Sequence, residues 1–125
     1  QRAKADYVNL ERRMRGMGDE LSKSAARNVA LGFIPVLDSL EAAAAGDAGL
    51  SAILKQADAS LLAHGITRFV PRPGEIFDPA RHESVQVLAT KNAEEDNTVS
   101  ACLQSGYAMD GVIIRPARVI INHHG

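Results

Sequence analysis

The chain is poor in cysteine, in aromatic residues and in net charge. Cys102 is the only cysteine among 125 residues, which excludes an intramolecular disulfide framework and any zinc or iron–sulfur site built from several cysteines. The 14 Lys and Arg residues face 15 Asp and Glu, and this formal net charge of −1 lacks the basic excess of a dedicated nucleic-acid or anionic-membrane binder. No apolar run reaches the roughly 20 residues of a membrane span. We therefore predict a soluble protein of a reducing compartment that binds no nucleic acid and does not insert into a membrane.

The first 33 residues lack proline and carry an apolar stripe typical of a coiled coil. Steps of four and three residues separate its members Ala3, Tyr7, Leu10, Met14, Met17 and Leu21. Steps of four then continue the stripe through Ala25, Val29 and Phe33. At about 1.5 Å per residue such a helix spans roughly 45–50 Å, so it protrudes from any compact domain of this size. Residues 1–33 are therefore predicted to form a dimerisation helix that packs on a second copy through Tyr7, Leu10, Met14, Met17 and Leu21.

Residues 34–65 are predicted to form a helix hairpin. Pro35 removes one helical amide and clashes with the preceding turn, so the long helix should break or kink near residues 32–35. The small residues 46–49 predict a loop, with a second helix beginning near Leu50, Ser51 as a possible N-cap and Gly65 as its C-cap. Two such hairpins beside two paired long helices suggest a four-helix bundle made by two chains.

From Ile66 onward the pattern changes to short β-like runs separated by proline and glycine. Residues 66–70, 85–89, 99–103, 107–109, 112–114 and 119–121 are strand candidates, and the run 85–89 alternates as on a half-buried strand. The dipeptide Asp110-Gly111 is a two-residue hairpin signal. Residues 66–125 are therefore predicted to be a compact all-β domain. The fold class is α+β: a long N-terminal coiled-coil helix, a short helix hairpin and a small β-domain.

Residues for catalysis or metal binding do not form a recognisable pattern. His64, His82 and Glu83 lack the spacing of a metal motif, and His123 and His124 are as well explained as a frayed C-terminal tail. Cys102 is interpreted as a packed or semi-exposed thiol without a catalytic role, because no nearby cation would activate it. Asp78 before Pro79 predicts an Asx-type turn that fixes Phe77 relative to His82. We expect no enzyme activity and no cofactor.

Five ordered blocks of this sequence resemble the GrpE family, the nucleotide exchange factors of DnaK-type chaperones. Residues 2–13, RAKADYVNLERR, are similar to the family's K-A-D-F-x-N-Y-R-K-R segment, and residues 34–40, IPVLDSL, to its L-P-V-x-D-x-L segment. Residues 49–65 resemble a family helix that starts with glycine and ends in K-x-x-G-[VI]. The most distinctive block is FDPARHESV at 77–85, which resembles F-D-P-x-x-H-E-A-V. The fifth block begins with LQSGY at 103–107 and, after Gly111, continues with IRPARV at 114–119.

The resemblance implies a homodimer whose β-domain grips the nucleotide-binding domain of a DnaK-type chaperone and promotes ADP release without a covalent step. It implies the bacterial cytoplasm or the mitochondrial matrix as the compartment. Carried over position by position, the family's partner-facing residues fall at Arg12, Arg13, Gly49, Lys55, Pro79, Leu103 and Ile121.

The sequence differs from the family pattern in three places. Val112 follows the hairpin glycine where the family has an arginine expected to insert toward the chaperone, and Arg115 is a candidate to replace part of that contact. Glu11, on the predicted dimerisation helix, stands where the family has a basic residue. Residues 22–25 stand where the family has a run of basic and aromatic residues. The alternative hypothesis is therefore a dimeric scaffold or adaptor that has lost exchange activity.

Overall fold

The computed structural model describes the backbone of residues 2–125 and the side chains of residues 4–125. The chain falls into two compact units, Gln1–Pro35 and Val36–Gly125, and each is described by itself below. Among the described residues, no helix is both long enough and apolar enough to span a membrane.

A single helix, α1, runs through Arg2–Ala44 with Pro35 inside it. Of the two predicted alternatives at residues 32–35, the break is absent and the kink stays a prediction. The first arm of the predicted hairpin is the end of α1 instead of a separate helix. Proline costs about 3 kcal/mol in a helix interior. Ile34 is only 3% exposed and Leu37 is half-buried, so packing on both sides of the proline offsets that cost.

Helix α2 occupies Ala48–Leu62, two residues earlier than its predicted start. Its N-cap is Asp47, whose Oδ1 accepts the Leu50 amide at 3.0 Å. Ser51 is therefore not the cap, and its hydroxyl donates instead to the Ala44 carbonyl at 3.0 Å. Ala63 is the C-cap, while Gly65 takes φ +76° two residues later and closes the turn into the first strand.

Six strands form two three-stranded sheets, which confirms the predicted all-β segment. The first sheet is antiparallel, with β1 (Ile66–Phe69), β4 (Gly106–Met109) and β5 (Val112–Arg115) in the order β1-β4-β5. The second has the order β2-β6-β3, and in it β2 (His82–Ala89) runs parallel to β6 (Ala117–His123), while β3 (Val99–Gln104) is antiparallel to β6. A 3₁₀ turn, Ala93–Glu95, lies in the charged loop before β3.

The hairpin between β4 and β5 turns at the predicted dipeptide. Asp110 has φ +50° and Gly111 has φ +82°, the left-handed pair that a two-residue turn between twisted strands requires. The Asp110 amide also donates to the Gly65 carbonyl at 2.9 Å, which joins this hairpin to the end of the helical region.

The core of the β region is small. Val99, Ala117 and Val119 are fully buried, and partly buried residues pack on them: Phe69, Phe77, Cys102 and Ile121. The prediction that the run 85–89 is half-buried is wrong, since every residue of β2 after His82 is exposed. Alternation shows only that Val85, Val87 and Ala89 share one face of β2, and no described part of the single chain covers that face. The two C-terminal histidines are tied to the β region, because the His124 amide donates to Asp96 Oδ1 at 2.8 Å.

Candidate functional site

The apolar stripe of α1 is solvent-exposed along its whole described length in the single chain. Its predicted dimerisation residues are all more than half exposed: Tyr7 69%, Leu10 55%, Met14 64%, Met17 65% and Leu21 70%. Val29 and Phe33, which continue the stripe, are each 60% exposed. Soluble proteins rarely leave such a continuous apolar face open to water, so the stripe has the character of a contact surface.

The basic residues of α1 lie off the stripe. Arg12 and Arg13 are exposed, and Arg15 donates to Glu11 one turn earlier at 2.8 Å. Glu11, the acidic residue where the family pattern is basic, is therefore bound within the helix. Exposed pairs of this kind contribute only about 0.3–0.5 kcal/mol, so both side chains can exchange partners at little cost.

Of the residues in the second unit that are predicted to face a partner, most are exposed. Gly49, Lys55 and Pro79 are exposed, and Leu103 and Val112 are 60% and 61% exposed. An exposed leucine or valine on a small β-domain offers apolar area to a partner.

Ile121 and Arg115 do not have the free exposure expected of them. Ile121 packs on the buried core of the β region. Arg115 has a side chain only 19% exposed and bound to a carboxylate of α1, so it is not free to replace the arginine missing at Val112.

Arg115 binds Asp38 in a bidentate ion pair. Its Nη1 donates to Asp38 Oδ2 at 2.6 Å and its Nη2 to Oδ1 at 2.8 Å, while its Nε donates to the Ser105 carbonyl at 3.2 Å. Gln104 Nε2 adds a further bond to Asp38 Oδ2 at 3.2 Å. The hydrogen bond to Asp38 raises the pKa of Arg115 more than burial lowers it.

A second arginine, Arg68, makes an equivalent pair with α2. Its Nε and Nη2 donate to Asp58 Oδ1 and Oδ2 at 2.9 and 2.8 Å, and its Nη1 donates to Glu41 Oε2 at 2.9 Å. The hydrogen bond to Asp58 is the main reason that the pKa of Arg68 is raised. Glu41 also accepts the Ser105 hydroxyl at 2.7 Å, so Ser105 and Glu41 connect the two arginines.

We call these side chains the clasp: Asp38, Glu41, Asp58, Arg68, Ser105 and Arg115. Their arrangement follows from strand register, because Arg68, Tyr107 and Arg115 are direct neighbours across β1, β4 and β5. Asp38 and Glu41 lie one helical turn apart on α1. The sheet therefore presents a row with a guanidinium on each side of a tyrosine, and the helices present three carboxylates.

One feature of the sequence, the position of Arg68 within β1, indicates that this arginine needs a partner. Arg68 is two residues from Ile66 on β1, so the two side chains point to the same face, and Ile66 is buried. A charged residue on the inward face of a strand needs a partner, because an unpaired charge there is costly. The pattern alone does not say which carboxylate supplies it.

Tyr107 lies at the centre of the row and is 1% exposed, yet its hydroxyl has no hydrogen-bond partner among the described residues. The Arg115 guanidinium carbon lies 5.2 Å from the centre of its ring. Burial raises the pKa of Tyr107 from 10.0 to about 12.

Replacing Tyr107 with phenylalanine is expected to raise the free energy of unfolding by about 1 kcal/mol at neutral pH, since it removes a buried, unpaired hydroxyl. The parent should lose further stability from pH 10 to 12, because the unfolded tyrosine releases its proton at lower pH than the folded one. Urea unfolding of both proteins at pH 7 and pH 11 measures this, and a gap that stays constant with pH would contradict it.

The turn at Asp78 has the predicted geometry. Its Oδ1 accepts the Ala80 amide at 3.0 Å, its own amide donates to His82 Nδ1 at 3.0 Å, and the centres of the Phe77 and His82 rings are 5.9 Å apart.

Among the residues that the structure describes, no group of three or more His, Cys, Asp or Glu could hold a metal ion. Cys102 is half-buried, and burial raises the pKa of its thiol.

A long helix with an exposed apolar stripe, a second helix and two small β-sheets place this chain in the class of α+β proteins. The sequence comparisons identify the family. The GrpE family model matches residues 1–123, and the chain belongs to the GrpE family.

Three bacterial relatives show the extent of the similarity. "Protein GrpE" of Coxiella burnetii is 34% identical over 131 aligned positions, which cover 96% of this chain and 64% of the relative. The protein of the same name from Aromatoleum aromaticum is 36% identical, with 97% and 66% covered, and that from Burkholderia vietnamiensis is 36% identical, with 96% and 69% covered. The chain thus spans slightly less than two thirds of the length of the first two.

Proposed function

We propose that this protein is a co-chaperone that binds the nucleotide-binding domain of a DnaK-type chaperone and promotes release of ADP. The observation that carries the proposal is the match to the GrpE family along residues 1–123. The exposed apolar residues Leu103 and Val112 on the β-domain support it, because they offer area for a protein partner.

The proposed action needs no covalent chemistry and no cofactor. A surface that binds the open form of the chaperone's nucleotide cleft more tightly than the closed form shifts the chaperone toward opening, which weakens ADP binding. By linkage, ADP must weaken binding of the exchange factor by the same factor. The protein would therefore act as a binding partner and not as an enzyme.

The working form is proposed to be a homodimer in the bacterial cytoplasm. The open apolar stripe of α1 supports dimerisation, and a four-helix bundle would pair α2 and the end of α1 with their copies. The relatives described above are bacterial, which favours a bacterial compartment and gives no support to the mitochondrial matrix.

The test is release of labelled ADP from a DnaK-type chaperone with and without micromolar protein. We expect faster release, and about tenfold less acceleration by Leu103→Asp, because a charge at the centre of an apolar contact must be desolvated. Val87→Asp is the matched control, since Val87 is 55% exposed on β2 at the opposite edge of the same sheet. No acceleration by the parent protein would sink the proposal.

A dimeric scaffold without exchange activity is the second candidate, and one observation favours it. Val112 stands where the family has arginine, and Arg115 cannot substitute because Asp38 holds it. The scaffold hypothesis predicts that the parent protein does not accelerate ADP release from the chaperone. It also predicts that Val112→Arg does accelerate release in the same assay.

A further inference from the structure

We call α2 and the end of α1, residues 36–44, the helix pair. The clasp is the main set of directional contacts between this helix pair and the β-domain, both of which lie in the second unit. Along the chain, these two parts are joined once, through the turn of residues 63–65 between α2 and β1. One covalent connection of this length leaves rotation about the turn open unless other contacts prevent it. Asp38 and Glu41 of α1 and Asp58 of α2 make such contacts with β1, with Ser105 before β4 and with β5.

The geometry of the clasp suits it to fixing an orientation. Both arginines bind their carboxylates through two nitrogen atoms, so each pair constrains direction as well as distance. The two pairs lie on β1 and β5, the outer strands of their sheet, with Tyr107 of β4 between them. Two bidentate ion pairs at opposite edges of a sheet oppose rotation of that sheet, whereas a single pair would leave rotation about itself possible.

The burial of the clasp is intermediate, which limits its contribution to stability. The side chains of Arg68 and Arg115 are 15% and 19% exposed, while Glu41 and Asp58 are 30% and 36% exposed. Ion pairs at this depth lose desolvation energy comparable with what they gain, so their best-attested role is to select one arrangement over others.

We propose that the clasp holds the β-domain in one orientation on the helix pair, and that Arg68 and Arg115 serve partner binding as positioning residues without touching the partner. The claim about partner binding rests on the proposed function, whereas the claim about the orientation of the β-domain does not. A β-domain that is already oriented loses less conformational freedom when it binds, and the gain appears as affinity. Once the partner is bound, it holds the orientation itself, so the maximal rate of ADP release should hardly depend on the clasp.

The orientation is tested by the distance between two spin labels, placed in the full-length chain at Gln56 of α2 and Gln86 of β2 after Cys102→Ser. Both sites are exposed and lie outside the clasp. We expect a narrow distance distribution in the parent and one about twice as wide in Arg68→Gln/Arg115→Gln. The matched control is Glu83→Gln/Arg118→Gln, which removes an exposed pair 3.8 Å apart and should leave the distribution unchanged.

The functional half is tested by titrating each variant against the chaperone in the ADP-release assay. The clasp variant should need about tenfold more protein for half-maximal release, with a maximal rate within about twofold of the parent. Asp38→Asn is the milder variant if the double variant fails to fold, and Asp38→Glu should restore both readouts. A distribution as narrow as the parent's in a folded variant overturns the proposal, as does loss of maximal rate without loss of affinity. If the parent does not accelerate ADP release from the chaperone, the proposed function fails. The distances between the spin labels still decide whether the clasp fixes the orientation of the β-domain.

Discussion

Replacing Leu10 and Met14 with aspartate is expected to convert the proposed dimer into a monomer at micromolar concentration. The two residues are 55% and 64% exposed in the single chain and belong to a stripe at coiled-coil spacing. Burying a side chain of this size stabilises by roughly 1.5–3 kcal/mol, and each substitution acts twice in a symmetric dimer. Aspartates would also bring like charges together in the seam. The dissociation constant should rise by about a thousandfold or more.

Loss of the dimer should also lower helix content, because α1 contains costly residues. Gly16 and Gly18 each weaken a helix by about 1 kcal/mol relative to alanine. Among the described residues, and apart from the neighbouring backbone of α1, no atom lies within 4 Å of where their Cβ atoms would be. Packing against a second copy is what we expect to offset these costs. A monomeric variant should therefore show weaker far-ultraviolet circular dichroism at 222 nm.

Sedimentation equilibrium measures the assembly state, and a matched variant shows whether position or added charge matters. Ala5→Asp/Val8→Asp adds the same two charges to α1 on the side away from the stripe, since both residues lie more than a quarter turn from it. This control should remain a dimer. A parent that is monomeric at high micromolar concentration would refute the dimer, and an unchanged assembly of Leu10→Asp/Met14→Asp would show that the stripe is not the interface.

Gly106→Ala is expected to destabilise the β-domain by about 2 kcal/mol, a large share of the stability of a domain this small. A Cβ at Gly106 would lie 2.6 and 2.7 Å from the Cε2 and Cε1 atoms of Phe69 and closer still to its Cζ, far inside contact distance. The ring cannot move freely, because Phe69 packs on the buried core and the Arg81 guanidinium carbon lies 4.7 Å from its centre. Amide hydrogen exchange of β4 and β6 measures the loss.

The Phe69 ring is the stated cause, so a double-mutant cycle checks it directly. In a Phe69→Leu background, which removes the clashing ring carbons, Gly106→Ala should cost less than about half as much. Equal costs in both backgrounds would place the strain elsewhere, for instance in the backbone of β4. The Phe69→Leu variant alone reports the cost of the lost packing and serves as the reference.

Local patterns predicted the elements of this fold well. The 3.5-residue spacing predicted the long helix because side chains three and four apart share one helical face, and alternation predicted the strands because successive side chains point to opposite faces. Asp110-Gly111 predicted its turn because few residues adopt positive φ. The same reasoning did not decide between a break and a kink at Pro35, where the helix continues and the neighbouring Ile34 is buried.

The spacing of residues in the sequence could not predict whether a strand is buried or which carboxylate a charged residue binds. Val85 and Val87 have the spacing of a half-buried strand, but both are exposed. Spacing shows that two side chains share a face and does not show that another element covers that face. Arg115 looked available for a chaperone, but its carboxylate is Asp38, 77 positions away. No sequence spacing signals a contact of that range.

Composition and short-range periodicity were thus enough for the fold class and the stripe of α1, because both depend on neighbours within a few residues. The resemblance to the GrpE family came from five ordered motifs, and the match over residues 1–123 confirmed it. The tertiary structure alone decided that Arg68 and Arg115 bind Asp58 and Asp38, and so belong to the clasp. A guanidinium binds whichever carboxylate the folded chain brings within about 3 Å, and strand register and helix packing set that choice.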